Sequence, residues 1–110
     1  MTGEQFVKLC FEEKVSVLEE YFEQSTCTEV GEKLRLLIAN GTSKEDLYEL
    51  ISAVLNETYY SLLLALDGEA SLGGTQMTYK IYDEEQNLLN ECGEIEAAAY
   101  EYFMEGTEND

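Results

Sequence analysis

The sequence predicts an α+β fold that is mainly helical, in which a helical bundle surrounds a long central helix. Apolar residues recur at three- and four-residue spacing through most of residues 3–66 and again in 94–104, which is typical of helices with one buried face. Residues 76–82 instead alternate between two faces and predict one arm of a small β-hairpin. A chain of 110 residues fits a single domain with one modest core.

The first predicted helix covers about residues 3–24. Thr2 and Gln5 have the spacing of a capping box, in which each side chain accepts a hydrogen bond from the other residue's backbone N–H. The apolar residues that follow are too many for one narrow stripe, and Ser16 with Glu19 forms a second candidate cap. The segment is therefore either one broad-faced helix or two short ones, and we favour a continuous or kinked helix.

The second predicted helix covers about residues 29–40. The polar stretch 25–28 before it holds several candidate N-cap residues, and Asn40 with Gly41 ends it. Only a few residues then remain before the next helix. Because short connections force neighbouring helices to pack nearly antiparallel, this part of the chain predicts a helical bundle.

The central predicted helix covers residues 43–66, with Thr42 or Ser43 as its cap and Gly68 just past its end. At 1.5 Å per residue it is about 35 Å long. Its apolar positions share one face and predict a buried stripe: Leu47, Leu50, Ile51, Val54, Leu55, Leu62, Ala65 and Leu66. A charge at Val54 is thus predicted to be severely destabilising.

The predicted hairpin covers residues 76–92, with strands at 76–82 and 88–92. Gln86 or Asn87 is expected to take the left-handed backbone conformation that the turn between the strands needs. Beyond Gly93 the sequence predicts a C-terminal helix at about 94–104 and a frayed tail at 106–110.

Composition excludes most enzyme classes. The chain has no His, so it lacks the residues for a Ser-His-Asp triad, a Cys-His pair or a His-bound metal. The acidic segment 67–71 resembles a calcium loop only in part, because Leu72 stands where that loop needs glycine. We therefore expect a non-catalytic protein with no cofactor and no metal.

Three cysteines, Cys10, Cys27 and Cys92, are odd in number and share no close spacing, so we expect buried, reduced thiols. The sequence has neither an apolar run long enough to span a membrane nor the pattern of an N-terminal signal peptide. These features predict a cytoplasmic protein.

Charge is the strongest functional signal. With 24 acidic and six basic residues, the net charge is −18, which repels nucleic acid and anionic membranes and attracts a basic protein. Beyond Lys80 there is no further Lys or Arg. The acidic and aromatic residues of this C-terminal part form the predicted partner-binding surface: Tyr82, Asp83, Glu84, Glu85, Glu94, Tyr100, Glu101 and Glu105.

In size, acidity, surface tyrosines and helical build, the chain resembles small acidic immunity proteins of bacterial toxin systems. Some of these inhibit nucleases through a surface of Glu, Asp and Tyr, and phage-encoded inhibitors that mimic nucleic acid share the same gross features. The resemblance implies a non-catalytic inhibitor that masks a basic site on a partner, such as a toxin or nuclease. The alternative is a structural or regulatory subunit that forms a homo-oligomer or a docking surface, with the charge incidental.

Overall fold

Helices make up most of the chain in this computed structural model, which describes residues 1–105; the predicted tail at 106–110 lies outside the described residues. The helical elements in chain order are α1 (Gly3–Tyr21), α2 (Glu29–Ala39), α3 (Lys44–Leu66), a 3₁₀ turn (Glu91–Gly93), α4 (Glu94–Ala99) and a π-helical segment (Tyr100–Glu105). The first helix is unbroken, so the alternative of two short helices is wrong. The last predicted helix is divided between α4 and the wider π-helical segment.

The first three helices begin at local side-chain caps. Thr2 and Gln5 form the predicted capping box, with both reciprocal hydrogen bonds present. Thr28 and Ser43 each accept a hydrogen bond from the backbone N–H three residues further on, at 3.0 and 3.2 Å. Each cap satisfies a backbone donor that the first turn of a helix leaves without an intrahelical partner.

Helix α4 begins differently, because its cap comes from a distant residue. Gly93 stands at the N-cap position with φ 73° and offers no side chain. Asp67, just beyond the end of α3, places Oδ2 2.8 Å from the backbone N of Glu96 and accepts its hydrogen bond. A carboxylate at this position also interacts favourably with the positive end of the helix dipole.

The predicted β-hairpin is wrong. Between α3 and the 3₁₀ turn, the described backbone contains no strand and only two isolated bridges, Leu72–Thr75 and Tyr82–Leu88. Gln86 does take a left-handed conformation, with φ 67°, so a tight turn forms where one was predicted. The turn does not extend into a ladder, and the fold is all-α rather than α+β.

Asn90 explains why the ladder stops. Its buried side chain accepts a hydrogen bond from the backbone N of Ile81 at 3.0 Å and donates to the carbonyl oxygens of Tyr79 and Leu66. In a hairpin, the backbone of the partner strand would make such bonds with residues 79–81. The backbone N of Leu89 still donates to the carbonyl oxygen of Ile81 at 2.8 Å, and beyond that bond the Asn90 side chain takes the place of a strand and ties the segment to the end of α3.

The hydrophobic core lies where α1, α3, α4 and the π-helical segment meet. Phe103 is fully buried at its centre; its ring stacks on Tyr59 with centroids 5.7 Å apart and meets Phe11 edge-on at 5.4 Å. The buried apolar residues of this cluster are Val7, Leu63, Leu89, Ile95, Ala98, Ala99 and Phe103.

Val54 does not belong to this core, which corrects the sequence prediction. It is 48% exposed, and the buried residues of α3 are Leu47, Asn56, Leu63 and Ala65. The main core cluster meets α3 in its C-terminal half, around Leu63, while Leu47 is the buried apolar residue of the N-terminal half. Since Val54 faces solvent, the reason for predicting a severe effect of Val54→Asp, a charge on the buried face, is wrong.

At the end of the molecule that holds α2, apolar side chains are less completely buried than in the core. Helix α2 packs on α1 through Leu34, while Leu36 and Leu37 remain exposed. The rings of Phe22 and Tyr48, 5.2 Å apart, connect the end of α1 to the start of α3. The molecule is elongated as a result, with extents of 48 × 29 × 28 Å. None of its described helices is both long enough and apolar enough to cross a membrane.

Candidate protein-binding surface

Asp83 is part of the turn itself. Its carboxylate accepts hydrogen bonds from the side chain of Asn87 at 3.0 Å and from the backbone N of Glu85 and Asn87 at 2.9 Å. The N-terminal ammonium of Met1 also lies 3.0 Å from Oδ2. The bonds from Asn87, with the Met1 ammonium, hold the pKa of Asp83 well below its usual range. Asp83 therefore shapes the loop and attaches it to the start of α1.

Two of the predicted carboxylates lie on α4 and the π-helical segment, beside the start of α1. Glu94 and Glu101 line a shallow cleft of about 150 Å³ together with Glu4. Glu94 Oε1 is 3.4 Å from the backbone N of Glu4, in the first turn of α1. Glu4 is not among the predicted binding residues. The structure adds it to them, because the first turn of α1 places its carboxylate in the same cleft as Glu94 and Glu101.

The start of α1 thus brings Asp83, Glu94 and Glu101 together, through Met1 on one side and Glu4 on the other. Tyr82, Glu84 and Glu85 are exposed on the turn beside Asp83, while Tyr100 and Glu105 are exposed on the π-helical segment. We call these eight predicted residues, with Glu4, the acidic surface.

Within residues 1–105, no Lys or Arg side chain forms an ion pair with this surface, whose one ion pair is the contact of the Met1 ammonium with Asp83. Among residues 1–105, the other ion pair joins Lys33 to Glu29 on α2, at 3.5 Å. Arg35 donates to the carbonyl oxygens of Gln24 and Thr26. Lys14 is only 6% exposed, donates to Ser52 Oγ at 3.1 Å and lies over the ring of Phe11. These three positive side chains therefore bond within the helical bundle and not to the carboxylates of the acidic surface.

A second acidic group lies at the cap of α4. Burial and the nearby carboxylates of Glu69 and Asp67 raise the pKa of Glu96. Among residues 1–105, no group of three or more Cys, Asp or Glu side chains is arranged to hold a metal ion. The close carboxylates of Asp67, Glu69 and Glu96 are a matter of fold stability: the raised pKa means that ionised Glu96 destabilises the folded state.

Sequence reasoning missed an exposed apolar row on α3. Leu50, Val54 and Leu62 are 58, 48 and 43% exposed, and with Thr58 they repeat at four-residue intervals. We call these four residues the α3 row. Residues four apart lie next to each other on one face of a helix, so the row is a continuous ridge. The periodicity was visible in the sequence, but it was assigned to the core instead of the surface.

A pocket lies beside the α3 row, between α3 and the π-helical segment. We call it the Asn56 pocket; it is a cavity of about 380 Å³ lined by Tyr48, Glu49, Ser52, Ala53, Asn56, Glu57, Phe103 and Met104. Asn56 Nδ2 donates to the carbonyl oxygen of Phe103 at 3.0 Å. Asn56 Oδ1 is buried and accepts no hydrogen bond from any described residue.

The cysteines are free, but their predicted burial is only partly correct. Cys27 and Cys92 are exposed, while Cys10 is half-buried beside the core and burial raises the pKa of its thiol. A raised pKa keeps a thiol protonated and so less nucleophilic at neutral pH.

Comparisons of the chain with protein-family models, with curated proteins and with solved structures find no match.

Proposed function

We propose that this protein is a non-catalytic, acidic binding domain that acts in the cytoplasm by masking a basic site on a partner protein. A nuclease or another toxin is the kind of partner whose basic substrate-binding site such a domain would cover. The proposal agrees with the class of acidic inhibitors that the sequence resembles.

The observation that carries the proposal is the lack of charge compensation on the acidic surface. Within residues 1–105, no ion pair is formed by five glutamates of this surface: Glu84, Glu85, Glu94, Glu101 and Glu105. The whole chain carries a net charge of −18. Concentrated negative charge of this kind destabilises a compact chain by self-repulsion. A basic partner relieves that repulsion, and long-range attraction speeds the encounter.

Tyr82 and Tyr100 have a separate role in this proposal. They are 56 and 52% exposed and directly precede Asp83 and Glu101 in the sequence. Tyrosine buries a large area at an interface while losing little rotamer freedom. We expect Tyr82→Ala and Tyr100→Ala to raise the dissociation rate, because an aromatic anchor acts only after contact is made.

Affinity capture from the native host tests the proposal. The tagged protein should retain a basic protein at about 50 mM salt and release it at about 500 mM salt, because screening shortens the range of charge attraction. The purified partner should have an activity that the acidic protein inhibits. Recovery of copies of the chain alone, or of a partner held equally at both salt concentrations, contradicts the proposal; the first result favours the homo-oligomer instead.

A further inference from the structure

We propose that the α3 row, together with the carboxylates beside it, is the docking site for an amphipathic basic helix of the partner protein. This inference rests on the proposed function, because it adds a second contact site for the same basic partner to the acidic surface. It assigns a role to exposed apolar side chains on the central helix that the hydrophobic core leaves uncovered.

The shape of the row fits a helix. From Leu50 to Leu62 the helix advances by 12 residues, which corresponds to about 18 Å, or between three and four turns of a partner helix. Ridges of this four-residue type pack into the grooves of another helix. An amphipathic helix with apolar residues at positions i, i+4 and i+7 or i+8 presents the matching face.

Two cavities along the row can receive side chains of that helix. The Asn56 pocket lies along its N-terminal half. A second cavity, of about 470 Å³, lies at its C-terminal end and is lined by Leu62, Leu72, Glu57, Thr58, Ser61 and Ser71. A ridge with cavities along it holds a partner by shape as well as by apolar area, and strong interface positions are commonly built in this way.

Charge identifies the occupant as basic. Glu57 lies three residues beyond Val54, so its carboxylate is next to the row, and Glu49 lies about two turns before Glu57 on the same flank; both line the Asn56 pocket. Lysine or arginine at the edges of a docked helix can reach them while its apolar face covers the row. A second copy of this chain would instead bring another net charge of −18 against the same face.

Two synthetic peptides test the docking site. The first is an 18-residue Leu/Lys peptide with leucines at helical spacing, and the second has the same composition with leucines at alternating positions. Fluorescence anisotropy gives the affinity of each peptide for the full-length protein. The helical peptide should bind at least about 10-fold more tightly, because only its leucines can all contact one ridge.

Matched variants locate the contact. Leu50→Ser with Val54→Ser should weaken binding of the helical peptide by about 10-fold or more, while Leu36→Ser with Leu37→Ser on α2 should change it by less than about 2-fold. Leu36 and Leu37 are 65 and 44% exposed, which makes them a fair control for nonspecific apolar contact. Unchanged circular dichroism and melting temperature establish that both variants are folded.

Several results would overturn the inference. Equal binding of the two peptides, or equal effects of the two variants, would show attraction by charge without a docking site and leave the proposed function standing. Self-association in light scattering that disappears in the Leu50/Val54 variant would assign the row to a second copy. Failure of both peptides to bind even at about 50 mM salt would count against the proposed function as well.

Discussion

Single side chains decide the structure of the segment between α3 and α4. Asn90 bonds three backbone groups, at Ile81, Tyr79 and Leu66. The alternation of Tyr79 and Ile81 predicts a strand because side chains alternate between two faces along a strand. What separates them is the identity of the hydrogen-bond partner, and a polar residue eleven positions away gives no periodic signal in the sequence.

We expect Asn90→Ala to reduce the free energy of unfolding by about 2–4 kcal/mol, because it removes the partner of a part-buried backbone N–H and of two carbonyl oxygens. Urea unfolding followed by circular dichroism measures the loss. Asn40→Ala, at an exposed helix end, is the control and should cost about 1 kcal/mol or less. An Asn90 variant as stable as that control would show that water replaces the amide.

Glu96 predicts a pH dependence of stability. Burial and the neighbouring Glu69 and Asp67 raise its pKa in the folded protein, so the folded state binds this proton more tightly than the unfolded state does. The ionised carboxylate is therefore destabilising above that pKa, and its effect is relieved as the pH falls through it. Glu96→Gln should be more stable than the parent at about pH 7, and the difference should shrink towards about pH 4.

The measurement for Glu96 is a series of urea titrations between these pH values. Exposed Glu12 on α1 provides the matched change, and Glu12→Gln should not reproduce the pattern. A Glu96→Gln advantage that grows as the pH falls would reverse the sign and exclude this explanation.

At the scale of elements, the helices were predictable and their burial was not. Thr2, Thr28 and Ser43 cap helices where the sequence indicated, because capping is local. Which face of α3 is covered depends on where α1, α4 and the π-helical segment lie, and the apolar period alone cannot distinguish a core stripe from an interface. Val54 was misplaced for this reason.

A pair of truncations on α3 tests this distinction. Leu63→Ala should cost about 2–5 kcal/mol, because it opens a cavity in the core beside Phe103. Val54→Ala should change the free energy of unfolding by about 0.5 kcal/mol or less, because Val54 is largely exposed. Both are measured by chemical denaturation. Similar losses in the two variants would place Val54 in the core after all.

At the scale of the whole molecule, charge was visible in the sequence, whereas its arrangement was not. The excess of acidic residues beyond Lys80 predicts an acidic surface. Helix α1 adds Glu4 to this surface, because the backbone N of Glu4 contacts the carboxylate of Glu94, ninety positions later in the sequence. Asp83, by contrast, is engaged by Met1 and Asn87. Long-range contacts of this kind have no signature in a single sequence.

Charge reversal tests whether the acidic surface steers the partner. Lysine substitution of Glu84, Glu85, Glu101 and Glu105 should lower the association rate with the captured partner and flatten its salt dependence. The control reverses four exposed α1 residues: Glu12, Glu13, Glu19 and Glu20. Glu4 is left out of the control because it lies in the cleft with Glu94 and Glu101. Equal effects of the two sets, measured by stopped flow, would mean that total charge alone steers the encounter.

The cap that Asp67 supplies to α4 has a consequence for the order in which the chain folds. Helix α4 has only six residues, which are too few for a helix to be stable alone. Its capping residue, Asp67, lies 29 positions before the Glu96 N–H whose hydrogen bond it accepts. The C-terminal part should therefore stay unstructured during synthesis until α3 has formed and presents its end. An isolated peptide of residues 91–105 should show a coil spectrum, and φ-value analysis should find Asp67 contacts formed late.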